Sequence, residues 1–127
     1  MVVFDDEEVA RRLHGLEGWK RDGRYIQRRF TFAGFGEAME FANQVAAIAE
    51  RRNHHPFLQI DYRVVTVRYT SWSAGGITAL DFDAASEIQT MYAVGKRLGP
   101  ADAQNTGGAT TTSGLPKGPL SAARPRL

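Results

Sequence analysis

Apolar positions alternate between helical and strand-like spacing along residues 5–98. Asp5 and Asp6 precede a stripe of Val9, Leu13 and Leu16, which predicts a first helix capped at its N-terminus by an aspartate and closing near Gly15. Trp19-Lys20-Arg21 and residues 25–32 then flank Asp22-Gly23, a dipeptide that supplies positive φ angles to a tight turn. Ile26, Arg28, Phe30 and Phe32 share one face of the second of these strands. Arg28 is out of place in an apolar row and is tolerable near a sheet edge. Over residues 37–52 Met39, Phe41, Ala42, Val45, Ala46, Ile48 and Ala49 recur at helical spacing, a broad stripe that must lie on something flat. Asn53 ends that helix and Pro56 forbids its continuation. Two more strands are predicted at 58–62 and 64–70, where Val65, Val67 and Tyr69 alternate with Thr66, Arg68 and Thr70. A Gly75-Gly76 loop opens into Thr78-Ala79-Leu80-Asp81, which reads as a capping box. The helix behind it carries Ala84, Ala85, Ile88, Met91, Tyr92, Gly95 and Leu98.

The order is α-β-β-α-β-β-α, an α+β fold. Short hairpins make each strand pair antiparallel, so the economical arrangement is a four-stranded antiparallel sheet with three helices on one face. An uncovered sheet face and unpaired edges favour self-association. Residues 1–99 are expected to form the domain. Residues 100–127 hold four of the five prolines, four glycines and no aromatic residue, so they are read as a disordered tail, dispensable for chemistry.

A chain of 127 residues with 43% apolar positions has room for one core and not for two. Zero cysteines exclude disulfides, thiolate metal sites and thiol nucleophiles, leaving His, carboxylates, hydroxyls or a borrowed cofactor for any chemistry. The pattern contains no stretch of about 20 apolar residues and no signal-peptide start, so a soluble cytoplasmic protein is expected. The formal charge of +2 lies wholly beyond residue 99, since residues 1–99 carry 13 basic and 13 acidic side chains. A neutral body argues against a nucleic-acid footprint.

Two of the three histidines are adjacent, in His54-His55-Pro56, where a helix gives way to a strand. Glu50 precedes His54 by four residues. While the helix persists the two share a face, and the carboxylate can orient or charge the imidazole. A histidine at a helix C-terminus also has a plain electrostatic use, so catalysis and helix-end stabilisation both remain open. Adjacent imidazoles rarely chelate one ion, and no metal is expected. His14 reads as a capping or surface residue.

The full constellation is Glu50-x3-His54-His55-Pro56-x5-Tyr62-x9-Trp72-x8-Asp81. With Gly75-Gly76-Ile77-Thr78 beside it, this pattern resembles the pterin-4a-carbinolamine dehydratase family, also called the transcription-factor dimerisation cofactor family, over about residues 5–98. The resemblance implies the same open sheet and helices, assembled as dimers or tetramers. It implies a carbon-oxygen lyase, 4a-hydroxytetrahydrobiopterin dehydratase, whose substrate is returned by a pterin-dependent aromatic amino acid hydroxylase and whose products are the quinonoid dihydropterin and water. The pterin is then the substrate, and no cofactor is implied. By resemblance, His54, His55 and Glu50 are the catalytic residues, with His54 in the acid/base position and Glu50 holding it. His55 takes a binding and orienting position, and Asp81 aligns with a site carboxylate.

Three positions stay open on the residues alone. Asp81 is either a site carboxylate or simply the acidic end of a capping box. Tyr62 reads as a packing residue at a strand end. Trp72 stands where many family members carry a third histidine. It either walls the pterin pocket by stacking or is a core residue past a strand end. Leu58 replaces a common aromatic. The rival to the enzyme is a protein-binding module on the same fold: the enzyme needs Glu50, His54 and His55 facing one cavity, whereas the module needs an exposed apolar helix stripe.

Overall fold

The computed structural model describes the backbone of residues 2–106 and the side chains from Val2 to Lys96. The Asp5 carboxylate accepts the Glu8 backbone N–H (2.9 Å) and starts α1 (Asp6–Leu13), whose Val9 is fully buried; exposed His14 is its C-cap. β1 (Lys20–Asp22) and β2 (Tyr25–Thr31) pair antiparallel, with Asp22 already opposite Tyr25. The turn's central residues are therefore Gly23 and Arg24, one step later than Asp22-Gly23. Glycine takes the position with φ +62°.

α2 (Phe35–Arg52) begins two residues before Glu37, whose side chain reaches back to the Ala33 N–H at 3.0 Å. Its buried stripe is Ala38, Phe41, Ala42, Val45, Ile48 and Ala49; Ala46 is exposed and Met39 half-buried, so Ala38 replaces Ala46 on the inward face. Asn53 ends the helix in the left-handed region at φ 52°. β3 (Phe57–Asp61) and β4 (Val64–Tyr69) follow as a hairpin. Tyr62 lies outside the strand. Asp61 pairs with Val64, which leaves Tyr62 and Arg63 as a two-residue turn, with Tyr62 at φ 55° and 67% exposed; it is not a packing residue.

The sheet order is β1-β2-β4-β3, antiparallel throughout, with β4 returning to lie between β2 and β3. Ile26, Arg28 and Phe30 stand opposite Tyr69, Val67 and Val65 and form the inner face with Leu58. Phe41 of α2 packs on Phe30 (ring centroids 4.7 Å) and Phe32 (5.0 Å). Arg28 lies one residue past the end of β1 pairing. There its Nη1 donates to the Glu17 carbonyl (2.9 Å) and to Gln89 Oε1 (2.7 Å), which also takes the Trp19 Nε1–H (3.1 Å).

α3 (Ala79–Thr106) buries Ala84, Ala85 and Ile88, while Met91 and Tyr92 are half-buried and Gly95 is exposed. The helix runs through Pro100, seven residues into the segment expected to be disordered; Ala101, Asp102, Ala103 and Gln104 supply ordinary helix formers beyond the proline. The rest of that segment, and the side chain of Leu98, lie outside the described residues. By its internal contacts the chain divides into Met1–Thr90, with the sheet, α1, α2 and the start of α3, and Met91–Leu127, whose described part is the remainder of α3. Among the described residues no helix is long and apolar enough to cross a membrane.

Phe30 is fully buried between Phe41 and Trp19. Phe30→Ala is expected to lower unfolding free energy by about 3–5 kcal/mol, read from urea denaturation; a loss below about 1 kcal/mol would place the core elsewhere.

Candidate active site

The site is assembled where β4 runs into the start of α3. Ser71 continues the inward alternation of Val65, Val67 and Tyr69, and its backbone N–H bonds the Gly76 carbonyl (3.0 Å), closing a tight loop. A Cβ at Gly76 would sit 2.7 Å from Val3 Cγ1, so a larger residue there would displace the exposed Val3 side chain. The N-terminal segment is held against the same loop by the Phe4 N–H, which donates to the Ile77 carbonyl at 2.8 Å.

Asp81 has 0% exposure, and its partners account for that burial. Oδ2 accepts the Thr78 backbone N–H (2.9 Å) and the Ser71 hydroxyl (2.9 Å), while Oδ1 lies 2.6 Å from His54 Nε2. Thr78 Oγ1 in turn accepts the Leu80 N–H (3.2 Å) and lies 2.8 Å from Ser71 Oγ. The capping box is thus present, and its acidic member also holds a histidine. One carboxylate closes the start of α3 and meets His54.

The left-handed Asn53 redirects the chain, and the His54 N–H closes on the Ala49 carbonyl (3.0 Å). That turn removes His54 from the helical register. The expected Glu50–His54 pairing is accordingly not formed: Glu50 Oε2 meets His55 Nε2 at 2.7 Å, and both side chains are well exposed. His54 instead swings inward, its ring stacked on Tyr69 (centroids 5.1 Å, 17° between planes). The Tyr69 hydroxyl donates to the His54 backbone carbonyl at 3.1 Å. Burial, and then the charge of Asp81, push the Tyr69 phenol up to about 12. Nearby, Glu87 of α3 clamps Arg51 and Arg52 at the end of α2, and the Arg52 hydrogen bond (2.7 Å), then that of Arg51, hold its carboxyl below the usual range.

A cleft of about 520 Å³ opens over this arrangement, lined by His54, Ser71, Trp72, Ser73, Ala74 and Leu80. Trp72 is 74% exposed, so it is not the core residue that one reading allowed. Its indole stands edge-on to Tyr25 (5.8 Å), whose ring lies under the Arg68 guanidinium (4.2 Å), itself paired with Asp22 at 3.3 Å. Arg68 Nε is buried without a hydrogen-bond partner.

The fold therefore gathers His54, Asp81 and Trp72, whereas Glu50 and His55 form a separate exposed pair outside the residues lining the cleft. Ser71 and the role of Tyr69 beneath His54 escaped sequence reasoning. One further step of the period-two alternation would have pointed Ser71 inward. Among the described residues no three His, Cys, Asp or Glu side chains are placed to hold a metal ion.

A buried carboxylate holds one imidazole nitrogen at the wall of an open cleft, on a four-stranded antiparallel sheet with three helices. The chain belongs to the pterin 4 alpha carbinolamine dehydratase family, whose model matches residues 3–91. It is 40% identical over 90 residues to a provisionally named pterin-4-alpha-carbinolamine dehydratase of Koribacter versatilis, covering 71% of this chain and 96% of that one. A protein of the same provisional name from Sulfurisphaera tokodaii is also 40% identical, over 72% of this chain and 98% of its own. A transcriptional coactivator/pterin dehydratase from Brucella melitensis superposes with a TM-score of 0.67 at 34% identity, covering 71% of this chain and 98% of that one. A pterin dehydratase-like RuBisCO assembly factor of the alpha-carboxysome shares the fold (TM-score 0.51, 18% identity, 59% of this chain and 89% of that one).

Because the Tyr69 phenol is raised in the folded state from about 10 in the unfolded chain, its contribution to stability is complete below about pH 10 and is lost as pH rises toward about 12. The stability difference between wild type and Tyr69→Phe, from urea melts at pH 8 to 11.5, is expected to shrink across that window. A difference that stays constant with pH would show that Tyr69 ionises as readily in the folded chain as in the unfolded one.

Proposed function

We propose that the protein dehydrates a 4a-hydroxytetrahydropterin to the quinonoid dihydropterin and water. The observation that carries this is the His54–Asp81 pair, with Asp81 wholly buried and His54 on the wall of the cleft. In the reaction the C4a–O bond breaks, N5 loses its proton, a C4a=N5 double bond forms, and the departing hydroxyl leaves as water. N5 and the 4a oxygen are on neighbouring atoms, so one imidazole nitrogen can take the first proton and give one to the second. Asp81 occupies Nε2, which fixes the tautomer and leaves Nδ1 for this exchange. An imidazole is suited to both steps near neutral pH because its unperturbed pKa is about 6.5.

Trp72 offers a flat apolar face to the pterin ring and a single N–H donor. It cannot transfer protons as the histidine common at this position in the family would. His55, braced by Glu50 outside the residues lining the cleft, is assigned to substrate binding and orientation on the family resemblance alone. The pterin is the substrate and no cofactor is required. The supplying reaction is that of an aromatic amino acid hydroxylase in the cytoplasm, in tetrahydrobiopterin recycling, and the chain acts as a homodimer or homotetramer. A second reading, a protein-binding cofactor, draws on the coactivator name of the Brucella relative and on exposed Phe35 at the start of α2. That role has no use for the His54–Asp81 pair.

Dehydration followed spectrophotometrically separates the two. His54→Ala is expected to lower the rate by roughly 10²- to 10⁴-fold. It should also cost about 1–3 kcal/mol of stability, because it strips a partner from a buried carboxylate. An undiminished rate would remove His54 from the chemistry.

Trp72→Ala is expected to raise KM while moving stability by no more than about 0.5 kcal/mol, as its exposure implies. Trp72→His should retain binding and add a proton-transfer group. A sharp fall in Tm with unchanged KM would return Trp72 to a structural role.

A further inference from the structure

We propose that Tyr69 is a positioning residue for His54, holding the imidazole in the orientation from which Nδ1 reaches the substrate. This rests on His54 being the proton-transfer group. A single hydrogen bond between Nε2 and the accepting Asp81 carboxylate fixes one corner of the ring and leaves it free to pivot about that contact. Tyr69 removes the freedom in two ways. Its ring lies parallel beneath the imidazole at 5.1 Å, closing one face, and its hydroxyl holds the carbonyl of His54 itself at 3.1 Å. The backbone from which the imidazole hangs and the face on which it rests are thus tied to one side chain.

That side chain is itself enclosed by the core. Tyr69 is fully buried at the end of β4, paired across the ladder with Ile26. The charged and titratable groups that act on the phenol are Asp81 from α3, Arg52 from α2, and Glu87 from α3, with His54 stacked on its ring. Their balance, together with burial, keeps it protonated far above neutral pH, so the hydroxyl stays a donor across any working range. An aliphatic residue in phase with Val65 and Val67 would keep the inner face apolar, but it would offer neither a plane nor a donor. Packing alone therefore does not call for a tyrosine here. Displacement of a reacting group by about 1 Å costs on the order of 10²-fold in rate, which sets the scale of the benefit.

The test uses the full-length chain with Tyr69→Phe, which keeps the ring and loses the hydroxyl, and Tyr69→Leu, which loses both, each alone and combined with His54→Ala. Readouts are kcat and KM for dehydration of 4a-hydroxytetrahydropterin and the NMR shifts of the His54 ring protons, which a stacked aromatic ring displaces upfield. Tyr69→Phe is expected to lower kcat about tenfold and Tyr69→Leu about a hundredfold, with KM within about twofold. The upfield displacement should survive in Tyr69→Phe and vanish in Tyr69→Leu. In the His54→Ala background neither change should slow the reaction further, since Tyr69 acts through His54. Should Tyr69→Leu fail to fold, Tyr69→Phe and its double variant decide the matter. An unchanged kcat in Tyr69→Phe and Tyr69→Leu, a rise in KM instead of a fall in kcat, or full additivity with His54→Ala would overturn the positioning role. If His54→Ala itself leaves the rate unchanged, the proposed reaction fails first, and the ring-proton shifts still report whether Tyr69 orders His54.

Discussion

A carboxylate with no solvent exposure is the constraint around which this molecule is arranged. Burying an ionised group without partners costs several kcal/mol even after relaxation, so Asp81 can lie where it does only with its oxygens engaged. The partners come from three places in the chain: the Thr78 N–H at the start of α3, the Ser71 hydroxyl just past β4, and His54 beyond the end of α2. Meeting that requirement brings together a helix N-terminus, a strand end and a helix C-terminus. The loop between Ser71 and Gly76 closes on itself, and the packing of Val3 on Gly76 holds its outer side.

The same group that starts a helix also orients an imidazole, and the two roles support each other. The amide and hydroxyl donors on Oδ2 fix the carboxylate plane, so Oδ1 is directed at Nε2 by covalent geometry. The Glu50–His55 pair has the same donor and acceptor types at almost the same distance, but it is exposed to water that screens and competes with it. The difference between the two histidines lies in their surroundings, and it is the reason the proposed reaction runs through His54.

Most of the fold was legible because it follows from periodicity. Alternating Val65, Val67 and Tyr69 gave the face of β4, and Thr78 with Asp81 gave the start of α3. The errors arose where local geometry departs from an ideal element. Glu50 and His54 have helical spacing, but left-handed Asn53 intervenes, and the imidazole leaves for a partner 27 positions away. Tyr62 looked like the end of a strand and became a turn residue, because the two-residue hairpin places it at positive φ. Ala46 fell on the wrong side of α2 by one small rotation of the stripe, which alanine tolerates and a larger side chain would have advertised. Trp72 is hydrophobic by composition and exposed by position. It is held at the surface by a tertiary edge-on contact with Tyr25, whose own ring lies under the Arg68 guanidinium.

Tryptophan at this position bears on how the rest of the site is built. Among the described residues His54 is the sole histidine lining the cleft, and the indole opposite cannot accept or release a proton. On the proposed reaction both proton movements then pass through one imidazole, which must serve two neighbouring atoms of the substrate from one position. A site with two proton-transfer groups tolerates some disorder in each, because each has a single target. A site with one does not, since any tilt that favours N5 disfavours the 4a oxygen. The number of contacts converging on His54, at its ring edge through Asp81, on its ring face through Tyr69 and at its backbone carbonyl through the Tyr69 hydroxyl, is what such a division of labour requires.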